Sequence, residues 1–487
     1  MSSMIDFRPV FYAIGLMLCV MAGAMLIPAL VDMYYESQDW KVFTTTSALC
    51  LFIGMGLFLT NRSKIEKLSV RQAFLVTAFS WISISVIGAL PFWMSDLNIS
   101  FVDALFESTS GITTTGSTVL TGLDTMAPGI LMWRSMLQWL GGVGIIIMAV
   151  SVLPLLQVGG MQFFSMEFSF KTDKILPRAA QITLGIISVY GILTALCAFL
   201  YYFYGMPFFD AINHSMTTIA TGGFSTKDAS LGYFQEPEIV WTATAFMVLA
   251  SLPFIQYVRM VSGNLWGLLQ DPQVRMFLMI AFFACMIVAG VLVKDNYYAG
   301  DIHSAVRNGA FNTISIMTGT GYTSANYGLW GGFIATFLMI LMFIGGCVGS
   351  TTCGIKVFRI QILSSTVTTQ IRRLLQPHGV FVPTYGDNPL TEEVRLSVTS
   401  FFYIYIFMFA LTALLLSLSG LDFVTAFSGA ATAISNVGPG LGDIIGPAGN
   451  FSSLSDVVKV FLCVAMTMGR LEFFTILVLF SPDFWKD

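Results

Sequence analysis

The sequence predicts an all-α integral membrane protein made of four similar units, with two extra transmembrane helices before them. Of its 487 residues, 56% are hydrophobic and only 10% are charged, whereas charged residues make up about a quarter of a soluble domain. A loop containing glycine recurs near residues 116, 222, 321 and 438, at intervals of about a hundred residues. Such a period is the signature of a repeat architecture.

The N-terminal segment, residues 1–70, is predicted to hold the two extra helices. Apolar runs at about 10–30 and 42–60 are each long enough to cross a hydrocarbon core of about 30 Å at 1.5 Å per residue. The first run is kept as a helix because Pro28 and acidic residues follow it, not a small-residue cleavage site. The basic loop at 61–67 then places the N-terminus in the cytoplasm.

Each of the four units is predicted to contain a spanning helix, a short helix, a loop and a second spanning helix. The predicted units are 71–165, 166–270, 271–395 with the glycine-rich stretch 345–354, and 396–487. Their spanning helices are predicted at 73–92 and 131–153, 180–204 and 240–261, 275–294 and 330–360, and 397–419 and 456–480. With the two leading helices this gives ten spans and two cytoplasmic termini, and the basic loops between the units agree with that orientation.

The short helices, predicted at 102–115, 209–221, 305–318 and 424–436, are rich in Ser, Thr and Ala. They are too short to span a membrane and too polar to face lipid, so we expect them to be re-entrant and buried by their neighbours. A helix that enters halfway points its partially negative C-terminal end at the membrane centre. That arrangement stabilises a cation there.

The loops after the short helices are the candidate cation site. Asn436-Val437-Gly438-Pro439-Gly440 keeps the valine, both glycines and a polar first residue of the TVGYG potassium filter, whose backbone carbonyls replace the hydration shell of the ion. One Gly-Pro-Gly alone is more typical of a turn, but four related loops favour a filter. The predicted potassium-binding residues are Thr114, Thr115, Gly116, Ala220, Thr221, Gly222, Gly319, Thr320, Gly321, Asn436, Val437 and Gly438.

One glycine in each loop is expected to take backbone angles that other residues avoid, and these glycines are Gly116, Gly222, Gly321 and Gly438. The approach segments support the alignment of the loops. Asp103 lies thirteen residues before Gly116 and Thr425 thirteen before Gly438, whereas Asp210 lies twelve before Gly222.

A glycine-rich stretch interrupts the last helix of the third unit at membrane depth. It contains Gly345, Gly346, Gly349 and Gly354, with hydroxyl residues between them. Irregular backbone is tolerated at that depth only against protein or water. The stretch is therefore predicted to be a movable loop that lines the cavity below the filter, and close packing of small residues between helices is the alternative.

Arg470 is predicted to be the only Lys or Arg well inside a span. An arginine at the centre of a membrane helix costs at least about 2.5 kcal/mol, so its side chain should face the pore interior. Glu472 or a carbonyl at a helix end remains an alternative partner. Together with the glycine-rich stretch, Arg470 forms the candidate gate.

These motifs, together with the run at 219–226, resemble the Trk/Ktr/HKT superfamily of potassium transporters, and within it the bacterial Trk membrane subunits. The two leading helices favour Trk over Ktr. The resemblance implies potassium uptake across the inner (cytoplasmic) membrane through one pore per subunit, and a homodimer in membrane lipid. It also implies a gating loop at 345–354, a constriction at Arg470 and control by a cytoplasmic nucleotide-binding partner of the TrkA type, which we expect to dock on the inner loop 365–395.

Other function classes are less compatible with the sequence. The net charge of −4 predicts no basic surface for nucleic acid. The sequence contains no G-x-G-x-x-G unit, P-loop, G-x-S-x-G elbow or H-E-x-x-H motif, so we expect no enzyme, no catalytic residues and no cofactor besides the potassium ion. A secondary transporter that couples potassium to protons or sodium (symport) remains open, because broken helices and repeats are typical of that class too.

Overall fold

The computed structural model describes residues 5–62, 68–151, 160, 175–261, 263 and 266–486. Most of the basic loop predicted at 61–67 and the unit boundary predicted at 165/166 lie outside these residues. The N-terminal hairpin consists of α1 (Arg8–Tyr34) and α2 (Trp40–Thr60). Its outer end is tied to the first unit, because an oxygen of the buried Asp32 carboxylate accepts a hydrogen bond from the backbone N–H of Gly129 at 2.6 Å.

The four units follow the predicted order of a long helix, a short helix, a loop and a further helix. The first contains α3 (Val70–Met94), α4 (Phe101–Ile112) and α5 (Pro128–Ser151). The second contains α6 (Ile175–Phe203), α7 (Phe208–Ile219), α8 (Pro237–Ala250), α9 (Phe254–Val261) and the single turn α10 (Gly267–Gln270).

In the second half of the chain, the third unit contains α11 (Pro272–Lys294), α12 (Ile302–Met317), α13 (Gly332–Leu341) and α14 (Val357–Leu375). The fourth contains α15 (Glu392–Leu418), α16 (Phe423–Ser435), the single turn α17 (Gly442–Ile445), α18 (Asp456–Arg470), the single turn α19 (Phe474–Leu477) and the C-terminal turn α20 (Pro482–Trp485). A pairing of β1 (Thr384–Tyr385) with β2 (Asn388–Pro389) lies between α14 and α15. The inner segment predicted as a loop at 365–395 is therefore helical as far as Leu375.

Seven helices in the described residues are long and apolar enough to cross a membrane, and nine if each of two bent pairs counts as one span. The bent pairs correct the prediction of continuous spans at 240–261 and 456–480. The axes of α8 and α9 meet at 89°, and α18 meets the segment Phe474–Phe480 at 107°. Pro253 lies in the break between α8 and α9, where its ring and missing N–H prevent a continuous helix.

The four short helices α4, α7, α12 and α16 match the predicted re-entrant segments, although α12 begins earlier, at Ile302. Three of them start at a side-chain cap: Ser100 forms a capping box with Asp103, and Asp301 and Asp422 accept hydrogen bonds from backbone N–H groups. The hydrogen bonds from Ser304 lower the pKa of Asp301, and those from Thr425 lower the pKa of Asp422. Both carboxylates stay ionised at helix N-termini, where negative charge is favourable.

Candidate functional site

The four loops that follow the short helices meet in a closed ring. In each loop a glycine lies so close to a carbonyl oxygen of the next loop that a Cβ atom would crowd it, and the fourth loop returns to the first. The distances from an added Cβ to the oxygen are 2.2 Å from Gly116 to Gly222, 1.9 Å from Gly223 to Thr320, 2.0 Å from Gly321 to Val437 and 2.9 Å from Gly438 to Thr115. The ring therefore leaves no room for a side chain at these positions.

Each short helix ends in the same way, which fixes the register between the units. The loop residue that follows the end of the helix donates its N–H to a carbonyl five residues earlier. These bonds run from Thr115 to Ser110 (2.8 Å), from Gly222 to Thr217 (2.9 Å), from Thr320 to Ser315 (2.8 Å) and from Val437 to Thr432 (3.0 Å). Gly222 is therefore the counterpart of Thr115, Thr320 and Val437.

The prediction that Gly222 supplies the left-handed backbone of the second loop is wrong, because Gly223 does so. The glycines with positive φ are Gly116 (88°), Gly223 (77°), Gly321 (82°) and Gly438 (110°). The preceding turn is also shared, since Thr114, Thr221, Gly319 and Asn436 have φ between 49° and 71°. The second predicted triplet is thus one residue early, and Ala220 lies at the end of α7 as the counterpart of Thr113.

The ring is not chemically uniform, because Gln138 of α5 holds the second loop. The Gln138 side-chain NH₂ donates to the carbonyl oxygen of Gly222 at 2.6 Å, and its Oε1 accepts from the backbone N–H of Phe224 at 3.0 Å. Gln138 is not among the residues predicted from the sequence. A polar residue in an otherwise apolar span was the available signal.

The glycine-rich stretch 345–354 is irregular, as predicted, and it fits into the break between α8 and α9. Cys347 N–H donates to the carbonyl oxygen of Ser251 at 3.0 Å, and Phe254 N–H donates to the carbonyl oxygen of Gly349 at 2.9 Å. The two interruptions therefore satisfy each other's backbone groups. This exchange explains how both can lie among buried helices, where unpaired N–H and C=O groups are costly.

The stretch also closes on itself and contacts the ring. Gly345, Gly349 and Gly354 have positive φ, and Gly346 N–H donates to Thr352 Oγ1 at 3.1 Å. The Thr351 hydroxyl accepts a hydrogen bond from the Thr221 hydroxyl at 3.1 Å. The stretch thus lies directly against the start of the second loop.

Arg470 ends α18 and is buried. Its guanidinium donates to the carbonyl oxygen of Thr351 at 3.0 Å, to Cys353 Sγ at 2.6 Å and to the carbonyl oxygen of Gly141 at 3.3 Å. Arg470 therefore contacts the glycine-rich stretch directly. Glu472 is not its partner, because that carboxylate pairs with Arg359 and, at 3.6 Å, with Lys356.

Arg470 is not the only buried Lys or Arg of these helices and their ends. Arg134, Lys356, Arg359 and Lys459 are buried as well. Each of these four pairs with a carboxylate: Arg134 with Glu107 at 2.7 Å, Lys459 with Asp103 at 2.5 Å, and the other two with Glu472. In the described residues, the hydrogen-bond acceptors of the buried Arg470 are two carbonyl oxygens and one thiol. Its positive charge is therefore less compensated than that of the four cations paired with carboxylates.

Comparison with known proteins agrees with this architecture. The profile of the TrkH family, described as "Cation transport protein", matches residues 39–486. The Trk system potassium uptake protein TrkI of Halomonas elongata is 40% identical over 480 residues, which cover 98% of this chain and 97% of TrkI. The Trk system potassium uptake protein TrkH of Escherichia coli K12 is 39% identical over 99% of this chain and 100% of its own length.

A solved structure resembles the whole chain. The crystal structure of the potassium transporter TrkH from Vibrio parahaemolyticus superposes with a TM-score of 0.92 at 37% sequence identity, covering 99% of this chain and 100% of the other. The all-α fold predicted from the sequence is thereby confirmed. The chain is a multi-pass membrane protein and belongs to the TrkH family of cation transport proteins.

Proposed function

We propose that this protein takes up potassium across the cytoplasmic membrane, and that the ring of four loops is its selectivity filter. The observation that carries the proposal is the closed ring, in which carbonyl oxygens of Thr115, Gly222, Thr320 and Val437 pack against glycines of neighbouring loops. The names of the relatives, Trk system potassium uptake proteins, support potassium as the transported ion. Potassium is thus the cargo of the site and not a resident cofactor.

The chemistry of the proposed filter follows from the backbone. A dehydrated cation needs oxygens that replace its hydration shell, and carbonyl dipoles on glycine-containing loops supply them. The short helices α4, α7, α12 and α16 end at these loops, so their partially negative C-termini add to the stabilisation of a cation. In the first, third and fourth loops the proposed potassium site keeps the residues predicted from sequence. In the second loop it consists of Thr221, Gly222 and Gly223, without Ala220.

The glycine-rich stretch and Arg470 form the proposed gate. The stretch contacts Thr221 of the second loop, and Arg470 contacts the stretch, so a positive charge and a backbone plug lie on the same side of the ring. By resemblance to the family, the gate responds to a nucleotide-binding partner of the TrkA type, and the protein is a homodimer with both termini in the cytoplasm. The proposed units are 71–165, 166–270, 271–395 and 396–487, with their starts adjusted to the helices that begin at Val70 and Glu392.

Growth of cells tests the proposed uptake. Cells that lack their own potassium uptake systems should grow at low external potassium when they express this chain together with its partner. Failure to grow, with the protein present in the membrane, would contradict the proposal.

Conduction and coupled symport both use the same site. They differ in whether a proton or sodium gradient shifts the potential at which potassium flux reverses.

The docking of the partner gives a further prediction. Arg372 and Arg373 lie in the last turn of α14, and both are exposed. Replacing both by Gln should weaken capture of the partner by up to about thirtyfold, since an exposed ion pair contributes at most about 1 kcal/mol. Neutralising the exposed Arg62, on the same proposed side, is the matched control. Capture that survives both the double change and deletion of 377–389 would mean that these arginines serve membrane orientation alone.

A further inference from the structure

A buried ion pair lies behind the first two loops of the ring, and it has no role in the filter chemistry described above. Glu107 of α4 and Arg134 of α5 are joined at 2.7 Å, with side chains 0% and 1% exposed. We propose that this pair positions the first and second loops and that discrimination between cations depends on it. The inference rests on the proposed function and adds two positioning residues to the same site.

Glu107 holds the first loop just beyond its glycine. The two carboxylate oxygens accept hydrogen bonds from the Thr118 hydroxyl at 3.0 Å, and one of them accepts from the backbone N–H of Val119 at 3.0 Å. Thr118 and Val119 follow Gly116 by two and three residues. The carboxylate therefore fixes the point at which the first loop leaves the ring.

Arg134 extends the same hold to the second loop. Its guanidinium donates to the carbonyl oxygen of Ser225 at 2.7 Å and to the Thr118 hydroxyl at 3.2 Å. The guanidinium carbon also lies 4.2 Å from the centre of the Phe224 ring. Because the guanidinium is a rigid planar fork, one side chain sets the distance between the two loops.

The other units hold their loops at the same register by weaker chemistry. Glu107, His214 and Asn312 each lie nine residues before the positive-φ glycine of their loop. His214 Nε2 is hydrogen-bonded to the Ser225 hydroxyl at 2.9 Å, and Asn312 donates to the Ser324 hydroxyl at 2.9 Å. In the fourth unit Gly429 occupies this place, and the neighbouring Ser428 hydroxyl accepts from Leu441 N–H at 2.8 Å.

The hydrogen bond between each short helix and its outgoing loop is common to the units, but its charge is not. A link from the short helix to the outgoing loop recurs in all four units, so the link belongs to the architecture of the ring. Of the four links at this position, the first carries charge and is shared by two loops. Asp210 of α7 also accepts a hydrogen bond from the Thr226 hydroxyl at 2.6 Å, but that charged link stays within the second unit. Loss of the first link should therefore disturb two of the four carbonyl positions at once, and carbonyl number and placement are what a backbone filter uses to discriminate ions.

The charge balance of the pair has a second consequence. The cavity that borders all four loop glycines is also lined by Arg134, so an uncompensated guanidinium there would repel a cation. Glu107 neutralises that charge. Removing the carboxylate alone should lower both selectivity and flux, whereas removing both charges should restore flux but leave selectivity low.

The test compares variants of the purified full chain in lipid vesicles, by the ratio of potassium to sodium flux. Glu107→Gln should lower this ratio about tenfold, the effect of losing one hydrogen bond to a charged group, and should reduce potassium flux. The double variant Glu107→Gln with Arg134→Gln should recover flux without recovering the ratio. Asp103→Asn is the matched control, because it breaks a second ion pair on the same helix, in which the Asp103 side chain is 20% exposed. Its lysine, Lys459, donates to Asp103 and to the carbonyl oxygen of Ser452, and neither acceptor belongs to the ring residues 114–116, 221–223, 319–321 or 436–438.

The positioning role of Glu107 and Arg134 is supported or overturned by the ion ratio of the folded variants. A folded Glu107→Gln protein that melts like Asp103→Asn and keeps the wild-type ion ratio would overturn it. If Glu107→Gln does not fold, Arg134→Lys provides the decision, since it keeps the charge but loses the fork to Ser225, and an unchanged ratio there would equally overturn the inference. A wild-type protein without preference for potassium would instead overturn the proposed function, and the positioning role with it.

Discussion

Serine at any one of the four ring glycines should weaken the preference for potassium over sodium by about tenfold or more. These glycines are Gly116, Gly223, Gly321 and Gly438. A side chain at these positive-φ positions costs about 1–2 kcal/mol for the backbone alone. In addition, its Cβ would lie 1.9–2.9 Å from a carbonyl oxygen of the next loop. The effect should be largest at Gly223 and Gly321 and smallest at Gly438, because that order follows the crowding.

The measurement is uptake of both ions by potassium-uptake-deficient cells that express each variant. Gly56→Ser is the matched control, since a Cβ added in that helix meets no atom within 4 Å. Gly223→Ala should also be more harmful than Gly222→Ala, because a Cβ at Gly223 meets backbone atoms at a positive φ, whereas a Cβ at Gly222 meets the Gln138 side chain. Unchanged selectivity in all four serine variants would refute the assignment of the ring as a filter.

Arg470→Ala should raise the flux of potassium without changing which ion is preferred. The Arg470 charge is held by carbonyls and a thiol, so at the proposed gate we expect it to repel a cation. For an ion that passes at an assumed separation of about 8 Å with an effective dielectric constant of about 20, one like charge costs about 2 kcal/mol, which corresponds to about thirtyfold in flux. Arg470→Lys should keep most of this barrier.

Removing part of the glycine-rich stretch should likewise raise flux and leave the ion preference intact, since the carbonyl oxygens of the ring belong to the four loops and not to the stretch. Single-channel or vesicle flux without the partner measures both effects. Lys459→Met is the control, because it removes a buried cation that does not touch the stretch. Reduced flux in a folded deletion variant would mean that the stretch is structural packing and that the gate lies elsewhere.

The repeats made most of the fold predictable. Their spacing also indicated that Gly223, and not Gly222, corresponds to the glycines of the other loops. Thirteen residues separate Asp103 from Gly116 and Thr425 from Gly438, while twelve separate Asp210 from Gly222. Equal spacing would have selected Gly223. The Thr-Gly pair at 221–222 led to the wrong choice because it resembles the Thr-Gly pairs of the first and third loops, although the positive φ angle falls one residue later.

Long-range partners could not be predicted, because one sequence does not show which helices meet. Pro253 was a local sign of the break after α8, but nothing nearby indicated that Ser251 would pair with the glycine-rich stretch. Arg134 is the fourth residue of the span predicted at 131–153, and its charge is paired with Glu107, which lies 27 residues away. The fold follows from periodicity and hydropathy, whereas the charges that support the site depend on contacts between units.

The most direct test of the central claim, that four loops form one potassium filter, is the reversal potential of the purified wild-type protein in lipid bilayers. Potassium is placed on one side, and sodium replaces it on the other at equal concentration, without the partner present. We expect a large displacement of the reversal potential toward the equilibrium potential for potassium, and serine at Gly223 or Gly321 should reduce it. A reversal potential that stays near zero in a conducting protein would refute the filter, because the ring would then not distinguish the two ions.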